Sequence, residues 1–189
     1  MQPHMERSVL PAAATLTPVT EPDFAVLRKL AGTIWRQHYA AIIPAAQIEY
    51  MLAGRFSDEA LRKNGYAADR WVELLRVGEN PVGYCGYELA GLDGDEVSPA
   101  AMKLGQLYVL ESHRGMGLGW HMLRHVEARA RELARARELG SRGLWLQVNK
   151  KNAAAIRFYQ SAGFEVIREA VFEIGGGFVM DDYVMAKQV

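Results

Sequence analysis

Between Leu107-Tyr108-Val109 and a long amphipathic segment, the chain carries Arg114-Gly115-Met116-Gly117-Leu118-Gly119. Glycines at alternating positions strip side chains from a strand-to-helix turn. Its backbone can then approach a ligand closely, with several N–H groups pointing outward at the helix start. The helix dipole adds positive potential there, so a phosphate is the natural guest. Two common phosphate loops do not fit. A dinucleotide loop needs G-x-G-x-x-G, and counting from Gly115 the sixth position is Trp120. A Walker loop needs a Gly-Lys pair followed by a hydroxyl residue, which is absent. The pattern that remains is Arg-x-x-Gly-x-Gly, on Arg114, Gly117 and Gly119.

The elements that must position this loop follow from periodicity. Thr20, then Glu21-Pro22-Asp23, opens a helix with apolar residues at helical spacing (Phe24, Leu27, Leu30, Ala31, Ile34, Trp35, His38). Pro44 interrupts it, Gln47 to Ala53 continues as a second helix, and Ser57-Asp58-Glu59 starts a third that closes at Asn64-Gly65. From Arg70 the period becomes two. Trp71 to Val77 and Val82 to Leu89 flank the turn Gly78-Glu79-Asn80-Pro81, and Lys103 to Leu110 runs into the glycine loop. A loop is expected from Gly91 to Pro99. The helix after the glycines extends to about Leu139, stopped by Gly140. Leu144 to Val148 is a short buried strand and Ala153 to Ser161 a helix ended by Gly163. Phe164 to Ile174 and Phe178 to Ala186 are closing strands around Gly175-Gly176-Gly177. This order predicts one mixed α/β (α+β) domain over 15–189, with a flexible arm over 1–14.

The 189 residues are 50% hydrophobic and 23% charged, which excludes disorder for most of the chain. Lys plus Arg equals Asp plus Glu at 22 each, so bulk charge does not suggest nucleic-acid binding. No apolar run approaches the roughly 20 residues a membrane helix needs. The stretch Ser8 to Ala14 is too short and broken for a signal-peptide core. One cysteine, Cys85, fits a reducing compartment, and a cytoplasmic location is expected.

Two segments together resemble the GNAT superfamily of N-acetyltransferases, which bind acetyl-coenzyme A. The first is Arg114 to Gly119. The second is Asn149-Lys150-Lys151-Asn152 followed by Ala153 to Tyr159 and Gly163-Phe164. The resemblance runs from about Leu16 to Met185. It implies a central mixed, mostly antiparallel sheet of six to seven strands with helices on both faces. Ile34 to Tyr39, Ile42-Ile43-Pro44 and Phe178 to Met185 resemble more narrowly the bacterial subgroup that includes PaiA-type polyamine acetyltransferases. That similarity suggests a small primary amine, polyamine-like, as acceptor.

In the superfamily an amine attacks the thioester directly. The resemblance places Arg114, Gly115, Met116, Gly117, Leu118 and Gly119 on the pyrophosphate. Backbone groups of Val109 and Leu110 would meet the pantetheine arm, and the Asn152 side chain would touch the cofactor. Tyr159 is the expected general acid, because a phenol with a pKa near 10 stays protonated at neutral pH and can donate to sulfur. The base is open. Many relatives carry a glutamate near the middle of the strand before the glycine loop, where this chain reads Gly105-Gln106-Leu107-Tyr108, and Gln106 accepts no proton at physiological pH. Glu88, Glu111 or a water chain are the candidates.

Other signals have plainer readings. His121 and His125 lie four apart, but Met122 stands where a zinc protease needs glutamate, so no metal is expected. Cys85 reads as a small buried hydrophobe. Arginines on the long helix alternate with Glu127, Glu132 and Glu138, which describes a solvated face. Trp35, Tyr39, Tyr50 and Phe56 read mainly as core. Glu49, Asp58, Asp69 and Glu88 could attract a cation. The leading expectation is an acetyl-CoA-dependent N-acetyltransferase without nucleic-acid or membrane partners, and dimers are common among relatives. A non-catalytic acyl-CoA-binding regulator is the alternative, kept open by Gln106. A tRNA-acetylating, toxin-like enzyme is a third reading, disfavoured by the neutral composition.

Overall fold

In the computed structural model, which describes residues 14–65, 69–90, 101–136 and 143–189, one seven-stranded sheet divides two hydrophobic cores. The chain runs β1 (Ala14–Pro18), α1 (Phe24–Tyr39), α2 (Ala45–Arg55), α3 (Asp58–Gly65), β2 (Arg70–Val77), β3 (Asn80–Leu89) and β4 (Met102–Val109). It continues with α4 (Leu118–Ala136), β5 (Gly143–Asn149), α5 (Ala153–Ser161), β6 (Glu165–Gly175) and β7 (Phe178–Gln188). Spatial order in the sheet is β1-β2-β3-β4-β5-β7-β6, antiparallel except for β4 and β5.

Helices α1 to α3 cover one face. Leu27, Ile34 and Trp35 of α1 are buried there against Leu74, Tyr84 and Met180. The periodic spacing of these residues confines the apolar side chains to one stripe of the helix. At its start a 3-10 turn, Glu21–Asp23, is fixed by Thr20, whose N–H and hydroxyl both donate to the Asp23 carboxylate (3.1 and 2.8 Å). Helices α4 and α5 cover the other face, with Leu118, Met122, Leu123 and Val126 buried against Leu75, Cys85 and Leu146.

Two departures from the expected layout have physical causes. Ala14 to Pro18 forms an edge strand rather than a lead-in. Only Ala14 and Leu16 pack inward, so five residues carry too short an alternation to be read. Residue 14, expected in the arm, therefore already belongs to the sheet, while residues 1–13 lie outside the described part. The loop expected at 91–99 and the helix stop at Gly140 also lie outside it.

The second departure is a bulge. Gly86 pairs with Gln106 but Tyr87 pairs with Leu104, which leaves Gly105 as an extra residue on β4. Because side chains alternate along a strand, one extra residue reverses every face assignment beyond it. Leu104 points into the α4 core, yet Tyr108 packs with the α1 core and Gln106 lines the cleft on that side. Without the bulge, residues 104, 106 and 108 would share one face.

Candidate active site

Parallel pairing of β4 with β5 lasts three residues: Met102 with Leu144, Lys103 with Trp145 and Leu104 with Leu146. Beyond Leu104 the strands part while each keeps its outer neighbour, β3 or β7. The inner edges of a split sheet carry main-chain donors and acceptors without a strand partner, and an extended ligand can take that place. Leu110 donates its N–H to Val82 O (2.8 Å), and its carbonyl accepts from His113 N–H (2.9 Å). Both its backbone groups are occupied. By the alternation of an antiparallel ladder, the Val109 peptide groups instead face the opening.

The glycine loop follows at once. Gly115 and Gly117 have φ of 78° and 75°, a left-handed conformation that residues with a Cβ adopt only with strain. After the Arg114 N–H, which bonds to Glu111 O (3.2 Å), the next backbone donor to find a carbonyl is His121, on Gly117 O (3.0 Å). Among the described residues, the N–H groups from 115 to 120 have no hydrogen-bond acceptor. They converge at the start of α4, a 19-residue helix whose dipole supports an anion there. Met116 is exposed at the loop tip, whereas Leu118 is buried and anchors the helix start.

Asn152 is buried and caps α5: its Oδ1 accepts from Ala155 N–H (3.2 Å). That bond fixes the amide orientation, so Nδ2 faces His38 Nε2 at 2.9 Å and the imidazole must accept there. Burial, and then the charge of Arg114, push His38 below its ordinary pKa, which keeps the ring neutral. Its proton therefore sits on Nδ1. The Arg114 guanidinium approaches Nδ1 at 3.4 Å, so two N–H groups face each other there. That approach does not hold Arg114, which also lies 3.7 Å from Glu111. A half-exposed guanidinium placed in this way can turn to an anion seated on the loop.

Tyr159 packs edge-on against Phe158 (5.2 Å between ring centroids) and Phe164 (5.5 Å). Its hydroxyl has no hydrogen-bond partner among the described residues. Burial, followed by the neighbouring Tyr108, pushes its pKa well above the ordinary phenol value. The group is a fully protonated donor at any physiological pH. Tyr108 hydroxyl pairs with that of Tyr39 at 2.8 Å, and Trp35 Nε1–H donates to Tyr84 Oη at 2.7 Å. These bonds tie α1 to the arm of the sheet that carries the loop.

On the α1 side, where β4 leaves β5, lies a cleft of about 560 Å³, open to solvent. Leu27, Phe56, Leu61 and Trp71 give it apolar walls, while Arg55, Arg70, Glu88 and Gln106 supply polar groups. Glu88 lines the cleft and is paired with Arg70 at 2.5 Å. Glu111 lies beyond the end of β4, exposed, on the glycine-loop side. Glu49 and Asp58 are outward-facing and bound to Arg36 and Arg28. The structure thus brings Val109, Arg114 to Gly119, Asn152 and Tyr159 to the split, with Glu88 in the adjoining cleft.

Sequence reasoning gave no site role to three side chains near this point: His38, Tyr108 and Asp182. Asp182 carried a usable signal, a carboxylate at an inward position between Met180 and Val184. Elsewhere, Trp35, Tyr39 and Phe56 are core, but Tyr50 is exposed and covers the Gly175-Gly176 turn, donating to Ile174 O (3.0 Å). His125 is more than a surface group. Its Nε2 lies 2.7 Å from the buried Glu73 carboxylate, which also accepts from Tyr87 (2.9 Å). Among the described residues no cluster of three or more His, Cys, Asp or Glu could hold a metal. No helix among them is long and apolar enough to cross a membrane.

A mostly antiparallel sheet split at its one parallel pair, with a bare-backbone loop at the opening, is the fold of the N-acetyltransferases. The PaiA N-acetyltransferase of Thermoplasma acidophilum, solved with coenzyme A, aligns with a TM-score of 0.73 over 93% of this chain and 99% of that one, at 18% identity. The ribosomal-protein-S18-alanine N-acetyltransferase of Escherichia coli aligns with a TM-score of 0.65 over 93% and 94%, at 16% identity. The chain belongs to the acetyltransferase (GNAT) family, whose model matches residues 33–164. An uncharacterised N-acetyltransferase of Mycobacterium tuberculosis (strain H37Rv) is 33% identical over 88 residues, covering 47% of this chain and 52% of that relative. The chain spans about half the length of the curated relatives it matches.

Proposed function

We propose that this protein moves an acetyl group from acetyl-CoA to a small primary amine by direct attack in a ternary complex. The observation that carries this reading is the convergence of the partnerless N–H groups of 115–120 with the parting of β4 and β5 beside an apolar-walled cleft. Unpaired main-chain donors at a helix start suit a diphosphate, and the half-exposed Arg114 can turn from Glu111 to join them. The inner edge of β4, with Val109, suits the pantetheine amides. Tyr159 holds the proton that a departing thiolate requires. Asn152 supports the site by capping α5 and orienting His38. The buried thiol of Cys85 fits a reducing, cytoplasmic setting.

The acceptor is the finer part of the proposal. The similarity of Phe178 to Met185 to PaiA-type enzymes, and the shared fold with a PaiA structure, support a polyamine-like cation as first choice. The cleft itself is mixed in charge, since Glu88 is neutralised by Arg70 and Arg55 stands nearby. Spermidine, L-lysine, tobramycin and an alanine-initiated peptide, each incubated with acetyl-CoA while free thiol is followed, test the reading. Thiol release with at least one amine supports it.

A second reading is a non-catalytic acyl-CoA-binding regulator. Gln106 favours it, because the side chain at the bulge faces the cleft and accepts no proton. Binding of acetyl-CoA with no thiol release from any amine would establish that alternative.

A further inference from the structure

We propose that Asp182 is the proton acceptor of the acetyl transfer, drawing a proton from the acceptor ammonium across one bridging water where β4 and β5 part. This rests on the acetyltransferase reading and supplies the base that Gln106 cannot be.

Placement comes first. Asp182 pairs with Asn149, three residues beyond the last β4–β5 pair at Leu146, so it borders the split. Met180, two residues earlier, packs into the α1 core, while Tyr183 and Met185 pack into the α4 core. Strand alternation therefore turns Asp182 to the α1 side, the side of the cleft. It is 6% exposed, and its Oδ1 is buried without any hydrogen-bond partner.

An orphan carboxylate oxygen is costly unless something else uses it. Asn149 hydrogen-bonds to this carboxyl, and the charges it feels are those of Asp181, its neighbour in the chain, Arg55 on α2 and Lys103 on β4. Tyr108, also on β4, feels its charge. Burial dominates, and the carboxyl is pushed up to about 6. Such a group is ionised at neutral pH yet basic enough to take a proton. The other candidates are engaged: Glu88 with Arg70, Glu111 beside Arg114 on the loop side, and His38 Nε2 with Asn152.

The step balances. The acceptor arrives as an ammonium and gives one proton through the water to Asp182. The freed lone pair forms a C–N bond at the thioester carbonyl, and the C–S bond breaks. Tyr159 gives its hydroxyl proton to the departing sulfur. The second proton lost from nitrogen restores Tyr159, and that on Asp182 passes to solvent. The products are an amide, a thiol and one proton.

The test measures kcat between pH 5 and 9 with acetyl-CoA and the fastest acceptor among the four amines above. Wild-type kcat should fall on the acid side with a midpoint near 6. Asp182→Asn should lower kcat roughly 100-fold and remove that limb, while calorimetry gives an unchanged Kd for acetyl-CoA. Arg55→Ala, an exposed change that needs no refolding of the core, should move the limb to higher pH by removing a charge that favours the carboxylate. A wild-type profile without this limb, or Asp182→Asn with kcat within about twofold of wild type, overturns the proposal. If the Asn variant does not fold, the wild-type and Arg55→Ala profiles decide alone. Calorimetry separates the failures. No heat with acetyl-CoA ends the acetyltransferase reading, heat and turnover without the limb end only the role of Asp182, and heat without turnover of any amine ends both.

Discussion

Tyr159 and Glu73 are two ionisable side chains held in opposite states, one by burial and the other by its partners. Burial holds the Tyr159 proton in place, which suits a donor to sulfur. Tyr159→Phe keeps the ring packing on Phe158 and Phe164 and deletes only the donor. It is expected to lower kcat by roughly 10- to 100-fold and to leave acetyl-CoA affinity within about twofold, measured by thiol release and calorimetry. Unchanged turnover would remove Tyr159 from the mechanism. For Glu73, burial alone would raise the pKa, but the bond and charge of His125 and the Tyr87 hydroxyl outweigh it and hold the carboxyl below its ordinary value. A depressed folded-state pKa adds stability above the unfolded value, near 4, and that stability is lost as pH falls through the folded one. Glu73→Gln should therefore lose about 1–3 kcal/mol at pH 7, with a gap to wild type that narrows below about pH 4 in urea melts. A gap that widens in acid would contradict the assignment. Neither His125 nor Glu73 was legible as a pair, because their 52-residue separation hides a contact made only when α4 lies on β2.

The split between β4 and β5 depends on elements whose sequences differ in legibility. The stripe from Phe24 to Trp35 and the short helix Ala153–Ser161 announced themselves through spacing, since a helix must concentrate its apolar residues on one face. The glycine loop was equally plain, because alternating glycines between strand and helix have few structural explanations. The bulge at Gly105 was not. Its effect is a change of register, which no local pattern reports, yet it turns Gln106 toward the cleft and Tyr108 into the α1 core. The strand Ala14–Pro18 stayed hidden for the opposite reason: its place in the sheet comes from pairing with β2, not from its own composition. At this scale Gly117→Val is the decisive change. A β-branched side chain at φ 75° is strained, and it intrudes where the backbone must meet the ligand. The expected result is acetyl-CoA affinity lowered by about tenfold or more, with the melting temperature reduced by only a few degrees. Equal affinity would contradict the loop assignment.

At the scale of the described molecule, the two larger cores make the sheet a partition with a gap between β4 and β5. Helices cover both faces of the central strands, and in the described sheet the interior strand edges that lose their partner lie where β4 and β5 diverge. Bonds from α1 cross that gap on both sides, from His38 to Asn152 and from Tyr39 to Tyr108. Recognition of acetyl-CoA should therefore depend on its diphosphate as well as on its acyl arm. Isothermal titration of the full chain with acetyl-CoA, and in parallel with acetyl-pantetheine, which lacks the diphosphate, tests this most directly. Acetyl-CoA is expected to bind with a Kd between roughly 1 μM and 1 mM, and acetyl-pantetheine about tenfold or more weakly. No heat with acetyl-CoA, or equal affinity for the two thioesters, would contradict the diphosphate grip of residues 114–119.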